Sequence, residues 1–252
     1  MGQTKILISG ASGKMGHAVA AAIAGREDCT VSAGVDLNTR QYAEFPIFDS
    51  FAAVQDKPDV VIDFSNPAVL EDLLEYCLTN GIPAVLATTG YNEEQLAKIR
   101  KAAESIPVFF SFNMSLGINL LVQLAKKATA ILGGQFDIEI VEKHHNQKLD
   151  APSGTALMLA DAINDSLNNE YHYVYDRHSK RAKREKTEIG MHAIRGGTIV
   201  GEHEVIFAGT DEVIEFKHTA YSRAIFAKGA LQAARFLAGK GPGYYGMEDV
   251  IG

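Results

Sequence analysis

Lys5-Ile-Leu-Ile-Ser-Gly10-Ala-Ser-Gly13-Lys-Met-Gly16 decides the fold. Lys5 to Ile8 is a short apolar strand, the glycines follow directly, and His17 to Ala24 reads as an Ala-rich helix. A strand that turns through glycines into a helix N-terminus points unpaired backbone amides at an anion such as a pyrophosphate. The spacing is Gly-x-x-Gly-x-x-Gly, which as a pattern alone is weak. Its surroundings are stronger. Thr30 to Val35 makes a second strand that ends at Asp36, 20 residues after Gly16. An acid there accepts both ribose hydroxyls of an adenosine and repels a 2'-phosphate, a better use of the position than a capping or solvated Asp. Arg40 and Lys14 supply charge that leaves tolerance of NADPH open.

The alternation continues outward from that stretch. Val60 to Asp63, Pro83 to Ala87 and Val108 to Phe110 read as strands, with helices over Pro67–Thr79 and Glu93–Ala103. Strands alternating with helices imply a parallel sheet covered on both faces, with ligands beyond the carboxyl ends of its strands. Phe64-Ser65-Asn66, Thr88-Thr89-Gly90 and Asn113-Met114-Ser115 all fall there. Each is compatible with plain turn chemistry; three on one edge facing a glycine turn favour a nicotinamide-ribose site.

Leu116 to Leu132 is a long amphipathic helix, after which the pattern changes. Ile138 and Ile140 against Glu139 and Val141 give a strand with alternating faces, and it runs into Glu142-Lys-His-His-Asn-Gln-Lys-Leu-Asp-Ala-Pro-Ser-Gly-Thr155. His144 and His145 sit where strand becomes loop, with Lys148 and the carboxylates Glu142 and Asp150 close by in sequence. Two imidazoles and an ammonium offer a proton donor tunable near neutral pH and fixed positive charge for an anionic ligand. Zinc is the competing reading, against which stand the divergence of adjacent extended residues and the distance of both cysteines. Pro152-Ser153-Gly154-Thr155 opens an apolar helix. Its first-turn amides and two hydroxyls form either an ordinary cap or a carboxylate site.

A helix to about Leu167 precedes a polar region, Asn168 to Thr187, rich in Arg and Lys, readable as a solvated loop or as a basic lid over the histidines. Met191 to Ile194, Glu202 to Ala208 and Glu212 to His218 follow as strands, and Ser222 to Ala238 as a closing helix before a glycine-rich tail. With the strand from Phe136 this gives an open sheet of about four strands with few helices of its own. A second subunit covering one face, and hence a homo-oligomer, is expected.

The fold class is therefore α/β: an N-terminal Rossmann-type doubly wound parallel sheet plus a C-terminal α+β domain with an open mixed sheet. The domains are expected at 1–115 plus about 222–252, and at 116–221. At 252 residues, 46% hydrophobic and 22% charged, the composition is that of an ordinary globular protein. A net charge of -7 argues against non-specific nucleic-acid binding. Cys29 and Cys77 read as buried thiols of a reducing compartment, and neither a leader nor a membrane-spanning run is evident, so a cytoplasmic location is expected.

These motifs, with Val61-Ile-Asp-Phe-Ser-Asn-Pro67, Ala87-Thr-Thr-Gly90, Asn113-Met-Ser-Leu-Gly-Ile-Asn119 and Arg195-Gly-Gly-Thr-Ile-Val-Gly-Glu-His203, resemble the bacterial 4-hydroxy-tetrahydrodipicolinate reductases of lysine and diaminopimelate biosynthesis over essentially the whole chain. The resemblance implies hydride transfer from NADH or NADPH to a cyclic imine dicarboxylate, with loss of water and no metal. It implies that His144 is a proton donor/acceptor and Lys148 a proton donor. His145, Ser153, Gly154 and Thr155 would hold the substrate carboxylates. Gly10, Ala11, Ser12, Gly13, Lys14, Met15, Asp36, Ala87, Thr88, Thr89, Phe112, Asn113, Met114 and Ser115 would hold the cofactor. A homotetramer joined through C-terminal sheets is implied as well.

Two positions depart from the family pattern. Leu37 follows Asp36 where some members place an Arg for the 2'-phosphate, which favours NADH. Ala87 stands for a usual Gly. Two other classes fit the fold: a dinucleotide-binding redox sensor, which would not need the histidine-lysine cluster, and a two-domain oxidoreductase acting on another small substrate.

Overall fold

A computed structural model describes residues 3–251. In chain order the elements are β1 (Thr4–Ser9), α1 (Lys14–Ile23), β2 (Cys29–Val35), β3 (Ile47–Phe48), β4 (Val60–Asp63), α2 (Leu70–Asn80), β5 (Ala84–Leu86), α3 (Glu93–Ala102) and β6 (Pro107–Phe110). Then come α4 (Leu116–Leu132), β7 (Asp137–His144), α5 (Gly154–Asp165), β8 (His172–Val174), β9 (Glu188–Arg195), β10 (Gly201–Ala208), β11 (Val213–Ala220), α6 (Ala224–Leu237), β12 (Gly243–Tyr245) and α7 (Met247–Ile251). The chain divides into two compact units, Met1–Leu116 with Arg223–Gly252, and Gly117–Ser222.

The described strands of the first unit form one parallel sheet in the order β12-β6-β5-β4-β1-β2-β3. Alternate strand residues feed two separate cores, as a sheet buried on both faces requires. Ile6, Ile8, Ile62, Val85 and Phe109 pack with α1 and α6; Leu7, Val61, Leu86, Val108 and Phe110 pack with α2 and α3. The closing helix fits because Gly229 has no side chain: a Cβ there would collide with the Met114 carbonyl oxygen. Local signals set the helix ends. Gly81, at φ +61°, terminates α2 in the left-handed region, and Asn92 with Gln95 makes a reciprocal capping box on α3. α1 begins at Gly13 and α2 at Val69, neither of which offers a capping side chain.

The second unit holds a mixed sheet, β11-β10-β7-β9-β8. β7, β9 and β8 are parallel neighbours, while β10 runs antiparallel to both β7 and β11. Ile138, Ile140, Ile189, Met191, Val205 and Phe207 face α4 and α5 and form its core. The sheet is thus one strand wider than the sequence suggests, and its own two helices cover one face. The extra strand, β8, lies inside the segment expected to be loop. Arg177 and Arg184 of that segment pair with Glu139, Glu188 and Asp137. These acids lie at the start of β7 and β9. At ~3.3 Å per residue, Glu139 is roughly 17 Å along the strand from His144, so these two arginines neutralise the sheet and are no lid over the histidines.

Candidate active site

The first unit places its candidate residues on the carboxyl edge of the parallel sheet. Gly10 leaves β1 at φ +78°, and a Cβ there would lie 2.6 Å from the Phe64 carbonyl oxygen, so only glycine fits. A Cβ at Gly16 would strike the carbonyl oxygens of Gly10 and Ala11, which packs the loop tightly against α1. Lys14 and Met15, read as loop in the sequence, form the first turn of α1. Asp36 stands just beyond β2 and accepts backbone N–H bonds from Ser12 and Asn38, each 3.0 Å. The glycine loop and the acid are thereby locked together. A cleft of about 330 Å³ opens between Gly10, Gly13, Asp36, Leu37, Phe64 and Ser65. Leu37 is 96% exposed at its mouth, an apolar face available to a base. A larger cleft of about 690 Å³, lined by Ile6, Arg26 and Leu231, lies at the amino edge of the same sheet, away from the glycine loop.

The remaining cofactor candidates differ in what they can offer. Ala87 and Thr88 are buried at the end of β5, and the Thr88 hydroxyl accepts the Ser65 amide at 2.8 Å. Thr89 is exposed beside Gly90, whose φ is +87°. Phe112 is exposed, whereas the Met114 side chain lies in the core with α6, which leaves only its backbone for a ligand. The Ser115 amide donates to Asn113 Oδ1 and Asn113 N to Ser111 Oγ, fixing that turn.

In the second unit the alternation of β7 carries polar residues into the core. Glu142 and His144 continue the buried face of Ile138 and Ile140. Glu142 is 1% exposed, and both of its oxygens are engaged. One takes the Ser153 amide at 3.0 Å, the other faces His144 Nδ1 at 2.6 Å, and Arg195 reaches across both at 2.6 and 2.8 Å. Burial pushes the Glu142 carboxyl up, but the Arg195 and His144 hydrogen bonds outweigh it and hold it below the usual range. Burial lowers His144, opposed by Glu142, so its imidazole is neutral at neutral pH. With Nδ1 turned to a carboxylate, the proton sits there and Nε2 is left bare. Gly201 makes room for that nitrogen: a Cβ would stand 3.1 Å from it.

A second histidine closes the network. His203 is buried, contacts Ser153 Oγ through Nε2 at 3.0 Å and meets the His144 ring edge-on at 5.2 Å. Burial, helped by the nearby His144, pushes it down to about 3. Ser153 caps α5 by accepting the Ala156 amide. Its amide and hydroxyl are thus both spent inside the protein, and the approach to α5 runs past Gly154, where a Cβ would meet nothing within 4 Å. Lys148 is held at 2.8 Å by Asp150, and Arg195 fastens the same loop through the Asp150 carbonyl. His145 is half-buried at the loop's start. Sequence reasoning gave no role to Arg195 or His203. Their partners lie 53 and 50 residues away, and the signal available was the presence of both in the motif from Arg195 to His203.

What this arrangement can do is bind an anion at a helix N-terminus and exchange a proton at a bare imidazole nitrogen beside an ammonium. The first unit offers a glycine-lined anion cradle with an acid for a ribose, which fits a dinucleotide. Among the described residues one group has metal-ligand geometry, His172, Glu185 and Glu188, far along the sheet and with Glu188 already paired to Arg177.

Comparisons with known proteins agree with both halves. Residues 4–114 match the family described as dihydrodipicolinate reductase, N-terminus, and residues 117–251 its C-terminus. Among curated relatives, the 4-hydroxy-tetrahydrodipicolinate reductase of Clostridium novyi (strain NT) is 51% identical over 98% of both chains. That of Caldanaerobacter subterraneus subsp. tengcongensis is 52% identical over the same share. The solved dipicolinate-bound dihydrodipicolinate reductase from Paenisporosarcina sp. TG-14 is 27% identical, with a TM-score of 0.81 over 98% of this chain and 99% of that one. The chain belongs to the dihydrodipicolinate reductase family.

Proposed function

We propose that this chain reduces 4-hydroxy-tetrahydrodipicolinate to tetrahydrodipicolinate, with loss of water, in lysine and diaminopimelate biosynthesis. As a family member it is an oxidoreductase that uses a reduced pyridine nucleotide. The observation that carries the residue assignment is the Glu142–His144 pair beside the N-terminus of α5.

A bound nicotinamide supplies the hydride. This chain's residues hold the substrate and move protons. The amides of Gly154 and Thr155, with His145, receive the ring carboxylates, which need donors and no metal. Lys148 exchanges Asp150 for the substrate and donates the proton that the electron-rich ring requires after reduction. His144 gives and takes protons at Nε2, its orientation set by Glu142 and its basicity kept low by burial.

For the cofactor, the preference proposed is NADH. Three acids, Asp36, Asp49 and Asp72, line the dinucleotide cleft, and none of the described residues lining it is basic. A 2'-phosphate would meet these acids in the cleft, and the charges of Lys14 and Arg40 are not among its lining. For the assembly, the proposal is a homotetramer through the uncovered face of the second unit's sheet. There Val141, Ile194, Ile206 and Val213 stand among the Lys143–Glu202–Lys217 ion pairs. Size-exclusion chromatography with light scattering tests it, and a monodisperse monomer at micromolar protein would reject it.

The deciding experiment is oxidation of NADH and of NADPH with substrate made in place by a dihydrodipicolinate synthase from pyruvate and aspartate semialdehyde. Turnover that depends on the coupling enzyme, faster at limiting NADH than at limiting NADPH, is expected. Dinucleotide binding without turnover would favour the redox-sensor reading.

A further inference from the structure

Asp63 is a carboxyl group where the fold asks for none. It closes β4 after Val60, Val61 and Ile62, is 1% exposed, and lies in register between Ser9 of β1 and Leu86 of β5. Burying a carboxyl costs stability unless its oxygens are bonded. Here burial pushes it up, against the hydroxyls around it. Ser65 Oγ donates to Oδ1 at 2.5 Å and Tyr91 Oη donates to Oδ2 at 3.3 Å.

Those bonds reach the cofactor edge from beneath. Ser65 also gives its amide to Thr88 Oγ1, and the Asp63 carbonyl takes the Ala87 amide at 2.9 Å. Phe64, between Asp63 and Ser65, lies so close to Gly10 that no Cβ fits there. One buried carboxyl therefore pins the turn that the glycine loop rests on and that the Thr88 loop is bonded to. We infer that Asp63 is a positioning residue for the dinucleotide: it touches no ligand and sets the spacing between the Gly10 loop, the Phe64–Ser65 turn and Thr88. The inference rests on the reading that this edge binds a pyridine nucleotide.

The test compares Asp63→Ala, Asp63→Asn and Tyr91→Phe with the parent enzyme. NADH affinity is read from the change in the dinucleotide's own fluorescence, alongside KM for each substrate, kcat and Tm. Asp63→Ala should weaken NADH binding roughly tenfold while KM for the dicarboxylate stays within about twofold. Asp63→Asn keeps an acceptor for Ser65 and should recover binding to within about threefold of the parent. Tyr91→Phe, which removes one bond and keeps the ring, should weaken it about threefold. Parent-like NADH affinity in both Asp63→Ala and Tyr91→Phe overturns the inference. So does an Asp63→Asn enzyme as impaired as Asp63→Ala with the same fall in Tm, which would mark a structural role alone. A parent that binds neither NADH nor NADPH overturns instead the reading on which the inference rests, and with it the inference.

Discussion

Arg195 grips both carboxylate oxygens of Glu142 from the neighbouring strand, at 2.6 and 2.8 Å, and Glu142 in turn holds His144. A charged pair in which one member is almost wholly buried is destabilising to break from one side, because the other charge stays behind unpaired. Arg195→Met should therefore cost about 3 kcal/mol of unfolding free energy, measured in urea. Adding Glu142→Gln to it should restore part of the loss. A double variant no more stable than Arg195→Met would mean the pair is not what the single change broke.

His203 predicts how stability depends on acid. Its pKa is lowered in the folded protein to about 3 from an ordinary 6.5, so unfolding takes up a proton between those values. The stability it contributes is fully present above 6.5 and is lost as pH falls through that window, at about 1.4 kcal/mol per pH unit. His203→Gln should flatten the pH slope of unfolding free energy by that amount between about pH 6 and about pH 4. Glu142, also lowered, adds its own loss only below the ordinary carboxylate range. An unchanged slope would show that His203 is protonated in the native state.

His144→Gln should keep NADH affinity and lower kcat by about 10²- to 10⁴-fold, since the amide replaces the ring without supplying a titrating nitrogen. Lys148→Ala should lower kcat and raise KM for the dicarboxylate together, because the proposed mechanism asks one ammonium for both the proton and the charge. Steady-state kinetics beside NADH titration separates the two. Loss of NADH binding in His144→Gln would reassign that residue.

Gly201→Ala tests the space around the imidazole. The added methyl stands 3.1 Å from His144 Nε2, tight enough to shift the ring by a few tenths of an ångström and not enough to unfold β10. A roughly tenfold lower kcat, with NADH affinity unchanged, is expected. A parent-like kcat would place the substrate on another side of the ring.

The sequence exposes some of this more readily than the rest. The parallel sheet is legible because apolar strands, glycines and helices repeat in a fixed order. Asp36 is legible because it sits one strand beyond the glycine loop. Short pieces are not: β3 has two residues, and β8 hides as His172–Val174 within a basic segment. The clustering of His144, Lys148 and Ser153 shows in a linear motif. The ring of bonds that aims them does not, because Arg195 and His203 enter from strands some fifty residues away. Asp63 passes for a strand residue, since nothing in Val-Ile-Asp-Phe-Ser reveals that its carboxyl turns inward.

Gly229, seated under the Met114 carbonyl, also fixes a schedule. The first unit needs α6 for its core and β12 for its sheet edge, both encoded after the second unit. The strands of the first unit are therefore made before one of the helices that covers them, with the whole of the second unit, Gly117–Ser222, in between. The face of Ile6, Ile62 and Phe109 lacks that cover until residues 224–237 fold back onto it, so truncation before α6 should leave the first unit unable to close its core.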